Sequence, residues 1–438
     1  MSVGSRVRRI YDRRPYPPPS LRGQAAPPAL PAMEWVAAVS ETAAGKVPAR
    51  ILVAGCGVGT EAFALARTFP SAQVLGVDFS ARSIALARRL GRKTAGGEDV
   101  RFEVADLTAR DLVRITGDGF DLVSCHGVLS YVPDAGAVLG NFTRLLAPDG
   151  VLVLGVNGAV HPSARWRPVL PAFGFDLEKF RDSAGLRDVI RVLESISVYP
   201  PVKVSHLDAG YLAGDLFGPL NRALPLSEWA QLCAHAGLHL FGTHRAFFAV
   251  RALLNLDLHA LLMPRTRGGV ARLVDALQPT SFHHMVLSRR APVDVPWSDG
   301  RALLRWRPVL TSLYKAQWPR RSRDRHALRE VELESPATST RVTLSVPQWE
   351  VEILRNSDGT LTLRELLAGV EPAVPAKALR EAMYLLYLMG VVNLAAPGAR
   401  HAHGTDHVPD GLHPPKQRQG GNRWSGRKRA TRKPGSRR

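Results

Sequence analysis

Cysteine is nearly absent. Cys56, Cys125 and Cys233 are the three in a chain of 438 residues, and they stand far apart. That spacing excludes a disulfide framework and a thiolate-built metal centre. Long apolar runs are missing too: the most hydrophobic stretch, Ala252 to Met263, is broken by Asp257 and His259 and is too short to cross a bilayer. No secretory apolar segment follows Met1, so a cytoplasmic chain is the expectation. Acids are scarce beside bases, 38 against 58, giving a net charge of +20. Ten of those bases, and no acid, fall between Lys416 and Arg438. This tail is rich in Gly, Pro and Ser and holds one aromatic, Trp424, so it cannot bury a core. It can touch nucleic-acid phosphates weakly or simply remain solvated.

What the chain does have begins at residue 51. Ile51 to Ala54 form an apolar run suited to a central parallel strand, and Gly55, Gly57 and Gly59 then allow a sharp turn and close approach to a ligand. Ala62, Leu65, Ala66 and Phe69 recur at helical spacing, and Gln73 to Val77 reads as a second strand. Asp78 therefore sits just past a strand's carboxyl end, where a carboxylate accepts ribose hydroxyls. The third glycine comes one residue too early for a dinucleotide fingerprint, so this loop is not built around a pyrophosphate. Val100 to Leu107, Phe120 to His126 and Val151 to Val156 read as three further strands, with a helix from Ala137 to Leu146 before the last. Leu226 to Leu238 reads as a helix with Ser227 as N-cap and Gly237 as terminator, leading into a strand at His239. Ser281 to Ser288 reads as an antiparallel strand at the reversed edge of the sheet.

Over residues 50 to 158 the chain resembles the class I S-adenosylmethionine-dependent methyltransferases. The resemblance rests on Val53-Ala54-Gly55-Cys56-Gly57-Val58-Gly59-Thr60, on Asp78, on Ala105-Asp106-Leu107 and on Cys125-His126-Gly127-Val128-Leu129, in that order. It implies a Rossmann-like α/β fold with a seven-stranded sheet. It also implies that the cofactor S-adenosylmethionine lies against Ala54, Gly55, Cys56, Gly57, Gly59 and Thr60, with Asp78 and Phe79 at the ribose. Ala105, Asp106 and Leu107 fall to the adenine, and Cys125, His126 and Gly127 complete the pocket. Where many relatives read Leu-His-His after the fourth strand, this chain has Leu129-Ser130-Tyr131, so no role of those histidines carries over. Ile10-Tyr11-Asp12-Arg13-Arg14-Pro15-Tyr16-Pro17 resembles the Tyr-x-x-x-Pro-Tyr-Pro element ahead of the core in a group of bacterial enzymes, in which prolines would hold the tyrosines as a lid.

The expected organisation is an N-terminal arm over 1–48, a methyltransferase domain over 49–292 with a helical insertion at 159–225, a linker over 293–340, an accessory domain over 341–396 and a disordered basic tail over 397–438. Within the insertion a helix is expected from Leu186 to Ile196. The accessory segment reads as helices at Val346–Leu354, Leu361–Leu367 and Ala378–Met389, followed by a short strand, and resembles a winged-helix-like regulatory domain of bacterial methyltransferases. Its third helix balances Lys377 and Arg380 against Glu381, which favours protein contact or homodimerisation over DNA reading.

For an amine or hydroxyl acceptor, the candidates to take its proton are His126, Tyr16 and Tyr131, and those to bind it are Tyr11, Tyr16, Asn157 and Asp215. No metal is expected. His283 and His284 are neighbours on a strand and point to opposite faces, while His401, His403, Asp406, His407 and His413 lie in the tail. The reading is methylation of a protein side chain. A small-metabolite methyltransferase and an RNA-binding or RNA-modifying protein acting through the tail are the alternatives.

Overall fold

The computed structural model describes residues 2–16, 47–94, 96–97, 99–168, 195, 212–243, 266–311, 314–319, 328–335, 340–368, 370 and 373–398. The segment from Leu186 to Ile196 apart from Ser195, most of the insertion and the histidine-bearing basic tail lie outside the described residues.

The chain opens with a helix, α1 (Val3–Arg13), which the proline-based reading of the arm did not foresee. Its start is fixed by the Ser2 side chain accepting the Ser5 N–H, and it buries Val7. Then come β1 (Arg50–Ala54), α2 (Thr60–Thr68), β2 (Gln73–Asp78), α3 (Ala81–Gly91), β3 (Arg101–Val104), α4 (Leu112–Thr116), β4 (Phe120–His126), α5 (Ala135–Leu145) and β5 (Leu146–Asn157). The sheet is completed by α6 (Leu226–His235), β6 (His239–Thr243), α7 (Arg267–Leu277) and β7 (Phe282–Ser288).

Seven strands run in the order β3-β2-β1-β4-β5-β7-β6. Strands β1 to β5 pair in parallel and β7 is antiparallel to both neighbours. Apolar side chains alternate between the two faces: Ile51, Val53 and Leu122 enter one buried cluster, Leu52, Ala54 and Val123 the other. Both faces are covered, which is why these strands read as continuous apolar runs. The order reverses between β1 and β4, and ligands of such sheets bind at the carboxyl ends beside that point.

Two local expectations are corrected. Strand β7 is inserted between β5 and β6, so β6 takes the edge; the chain leaves one position free between β5 and β6 and returns through β7 to fill it. Ser227 is not the N-cap of α6. Pro225 occupies that position, and the Leu226 N–H is satisfied by the distant Asp275 carboxylate at 2.8 Å. Gly237 does terminate the helix, at φ 78°.

The segment read as a linker, 293–340, carries strands. Beyond the sheet lie β8 (Arg307–Leu310), β9 (Lys315–Gln317), β10 (Arg329–Ser335), β11 (Thr340–Val346), α8 (Gln348–Arg355), α9 (Leu363–Leu367), α10 (Ala376–Leu388) and β12 (Val392–Ala395). Strand β8 pairs with β12, and β10 pairs with both β9 and β11. The linker reading failed because Val331 and Leu333 alternate with polar residues, and their strand pairs with β11, in which Val342, Leu344 and Val346 alternate the same way; Val346, expected to start a helix, ends that strand. This unit shares one buried cluster with the sheet: Trp297, Trp306, Val331, Met383 and Tyr384 join Phe241, Val270 and Val286. Arg267 on α7 bridges the two. Its buried guanidinium donates to the carbonyls of Tyr387 (2.8 Å) and Val392 (2.9 Å) and to Asn393 Oδ1 (2.7 Å), and lies 3.8 Å from the Tyr387 ring centroid. Lys377 and Glu381 pair along α10 at 3.9 Å.

Candidate functional site

A cavity of about 1320 Å³ opens where β1, β2 and β4 end. Its floor is the turn after β1. Gly55 has φ 73°, and a Cβ there would lie 2.3 Å from Val128 Cγ2, so this turn can be built with glycine alone. Gly57 has φ 53°, and its N–H donates to Asp78 Oδ2 at 3.0 Å. The other Asp78 oxygen accepts the Ser80 N–H at 2.8 Å. Burial raises the Asp78 carboxyl above its ordinary range, against the lowering effect of those two backbone donors. Each oxygen retains capacity to accept a further hydrogen bond from the cavity.

Of the residues expected around the cofactor, Gly55, Cys56, Gly57, Thr60, Asp78, Phe79, Ala105, Asp106, Leu107, His126 and Gly127 line this cavity. Ala54, Gly59 and Cys125 do not. Ala54 and Cys125 turn into the apolar layer behind the sheet. Gly59 caps α2 at φ 87°, and a Cβ there would meet Phe102 and Phe63 at 2.8 and 2.9 Å. Gly127, in contrast, has φ 63° and nothing within 4 Å of an added Cβ, leaving a bare stretch of backbone at the cavity wall. Asp106 accepts the Thr108 N–H at 2.9 Å and pairs with Arg8 at 3.4 Å.

The N-terminal residues form the opposite wall. Tyr11 meets Phe79 edge to face at 6.2 Å, Arg8 lies 5.4 Å from the same ring, and the Ser80 hydroxyl donates to Asp12 at 2.6 Å. The Tyr16 carbonyl accepts the Val58 N–H at 3.0 Å, tying the arm to the glycine turn. Pro17, the last residue of the Pro-Tyr-Pro element, lies outside the described residues.

Tyr11, Tyr16, Tyr131, Asn157 and Asp215 line the same cavity. Asn157 Nδ2 donates to Tyr131 Oη at 2.9 Å and to Asn221 Oδ1 at 2.9 Å, and the Tyr131 hydroxyl bonds to Asp215. Burial pushes the Asp215 carboxyl up to about 7, although the Tyr131 hydrogen bond pulls the other way. Tyr11 is driven well above the ordinary phenol range, first by burial and then by the charge of Asp215.

Glu61, His284 and His161 also line the cavity and were not among the expected site residues. Glu61, on the first turn of α2, lies 3.4 Å from His126 Nδ1 and accepts a short hydrogen bond from the Ser124 hydroxyl. Burial acts to raise its carboxyl, but His126 and the hydrogen bonds from His126 and Ser124 outweigh that and hold it below the ordinary range. His284 stacks at 5.3 Å from the His126 ring and is lowered to about 4, mainly by burial and then by His126. His161 is likewise lowered to about 4 by burial. His283 points to the other face, 3.3 Å from the Leu224 carbonyl and 3.9 Å from Asp275. Among the described residues no group of three or more His, Cys, Asp or Glu side chains could hold a metal ion, and no helix is long and apolar enough to cross a membrane.

Residues 47–159 match the family model of a methyltransferase domain, and the sheet that this segment begins is the seven-stranded Rossmann-like methyltransferase fold. The chain is 32% identical over 166 residues to an uncharacterized protein of Synechococcus sp., spanning 36% of this chain and 38% of that one. It is 30% identical over 155 residues to phosphoethanolamine N-methyltransferase 1 of Triticum aestivum, spanning 33% of this chain and 30% of that one. The chain thus covers well under two thirds of these curated relatives. Among solved structures, PKMT2 from Rickettsia typhi in complex with AdoHcy superposes with a TM-score of 0.50 at 16% identity. That likeness covers 84% of this chain and 75% of the other, so it takes in much more than the matched methyltransferase segment.

Proposed function

We propose that this chain transfers the methyl group of S-adenosylmethionine to a nucleophilic side chain of a protein. The observation that carries the reading is that a bent glycine turn, the Asp78 carboxylate and the polar group around Tyr131 and Asp215 all face one cavity. The residues fit the cofactor. Gly55, Gly57 and Gly127 leave bare backbone for the methionine part, Asp78 keeps acceptor capacity for ribose hydroxyls, and Asp106 and Leu107 stand where an adenine would be held. When bound, the sulfonium supplies an electrophilic methyl carbon, which bonds to the acceptor heteroatom as the carbon–sulfur pair withdraws to sulfur and the acceptor loses a proton. The chain's own part is to hold the acceptor in line.

The acceptor end is suited to an amine. Asp215 is a carboxylate at a buried wall with Tyr11, Tyr16 and Tyr131 around the same cavity, and a cationic head is stabilised by a carboxylate and by aromatic faces. A protein substrate is supported by the extensive unit beyond residue 293, which offers surface for a large partner. The small-molecule reading draws on the relatives instead, one of which is a phosphoethanolamine N-methyltransferase. Radiolabelled methyl transfer into a cell extract separates them: label removed by protease supports the protein reading, and label passing a size filter replaces it with the metabolite reading. Asp78→Ala should weaken S-adenosylmethionine binding by at least tenfold in calorimetry, and undiminished affinity would remove Asp78 from the pocket.

A further inference from the structure

Resting on the methyl-transfer reading, the geometry assigns one further pair to the chemistry: we propose that Glu61 is the positioning residue that fixes His126 in its Nδ1-protonated tautomer, so that His126 Nε2 accepts the proton the acceptor loses. Three side chains could serve on position alone, His126, Tyr16 and Tyr131, and the hydrogen bonds distinguish them. The Tyr131 hydroxyl is committed, accepting from Asn157 and bonding to Asp215. The Tyr16 backbone is tied to the glycine turn, and its side chain lies near Tyr11 on the N-terminal helix.

That His126 Nδ1 carries a hydrogen follows from counting protons. Ser124 has one hydroxyl hydrogen, and its short contact to Glu61 Oε1 uses it, because an ionised carboxylate can only accept. Ser124 Oγ also lies 3.2 Å from His126 Nδ1. With its hydrogen already spent, Oγ can only accept there, so Nδ1 carries the hydrogen and points it at Ser124 and at Glu61, 3.4 Å away. A neutral ring protonated at Nδ1 leaves the lone pair on Nε2. That nitrogen is buried and, among the described residues, has no hydrogen-bond partner. An unsatisfied buried acceptor is costly, on the order of 1–3 kcal/mol, and groups left in that condition in a ligand cavity are ones a ligand completes. When Nε2 takes the acceptor's proton, the imidazolium has the Glu61 carboxylate beside its other nitrogen, and the proton leaves for solvent after the product departs.

The arrangement is assembled from three separate parts of the chain. Glu61 comes from the helix after β1, Ser124 and His126 from β4, and β1 and β4 are paired neighbours in the sheet. His284, from β7, closes the far side of the His126 ring, with the Phe282 ring at 5.0 Å behind it. His126 Cδ2 occupies space that even one carbon on Gly155 would invade, since a Cβ there would lie 2.4 Å from it. The ring is therefore held in place by packing as well as by charge.

The test uses the full chain with nitrogen-15-labelled histidine. In the wild type His126 should show one protonated Nδ1 and one unprotonated Nε2, the spectrum of a single tautomer. In Glu61→Gln, which keeps shape and hydrogen bonding but not charge, the His126 signals should move toward a tautomer mixture. The turnover number for methyl incorporation should fall by about 10²-fold or more while S-adenosylmethionine affinity stays within about twofold; Glu61→Asp should recover part of the rate. A wild-type spectrum with Nε2 protonated, or Glu61→Gln turnover equal to wild type, would overturn the assignment. If the wild type binds the cofactor yet labels nothing in any extract, the methyl-transfer reading itself fails, and the tautomer spectrum still reports on Glu61 and His126 independently.

Discussion

Asp215 carries a pH dependence whose sign can be worked out. Its carboxyl titrates near 7 in the folded chain, far above its ordinary value, because burial disfavours the charged form. An acid raised in this way costs the folded state nothing at low pH, where it is protonated folded and unfolded alike. As pH rises from about 4 through 7, the unfolded chain ionises first and folding becomes less favourable. Asp215→Asn should therefore stabilise the chain at pH 8 by roughly 1–3 kcal/mol after allowance for solvent screening, with the gain vanishing near pH 4. Thermal melts of both forms at the two pH values measure this; equal gains at both would show that packing, not charge, is responsible. The same variant should weaken a cationic acceptor and leave cofactor affinity alone.

Residue-scale features were legible in unequal measure. Asp78 and the glycines at 55 and 57 declared themselves by spacing after a strand. Glu61 did not, because an acid on the first turn of a helix is commonplace and favourable against the helix dipole. Its meaning arises from a serine and a histidine more than sixty positions away, brought near by the pairing of β1 with β4. The burial of Ala54 and Cys125 away from the cavity follows from strand alternation and could have been read beforehand.

At the scale of elements, α9 offers a clean measurement. Thr362 accepts the Glu365 N–H at 3.2 Å while the Glu365 carboxylate accepts the Thr362 N–H at 2.7 Å, a reciprocal capping box. Thr362→Ala should cost about 1 kcal/mol, and chemical denaturation of the full chain should report it as a lower midpoint with unchanged slope. A shift under a few tenths would mean that tertiary contacts hold this short helix without its cap. The central strands were readable as elements because both of their faces are buried, which makes short uninterrupted apolar runs. Helix α1 escaped notice because arginines dominate its composition, although Val3, Val7 and Tyr11 recur at four-residue intervals. The hairpin of β10 and β11 was obscured by the charge of its solvent-facing residues, among them Glu330, Glu332 and Arg341.

At the scale of the whole molecule, Arg267 decides how the parts behave together. Its guanidinium is buried and lowered to about 10 by that burial, with three hydrogen bonds into the C-terminal unit. Arg267→Ala would leave the Val392 carbonyl and Asn393 without the arginine's hydrogen bonds, leave the Tyr387 carbonyl with the Gly390 N–H, and open space beneath the Tyr387 ring. The loss should be about 3 kcal/mol or more, and limited proteolysis should cut between residues 288 and 300 far faster than in the wild type. Unchanged protection would show that the shared apolar cluster suffices by itself.

That seam also bears on how such a chain can change over evolutionary time. A unit joined to its host by a tether can be lost, duplicated or traded for another by a single recombination event, and the host survives. Here the apolar layer of one part is completed by tryptophans and a tyrosine of the other, and an arginine of the first is solvated by carbonyls of the second. A crossover near residue 293 would strand an unpaired cation on one side and bare aromatics on the other. The seam predicts that the C-terminal unit is inherited with the sheet as one piece, with any specificity it contributes varying by substitution at its surface.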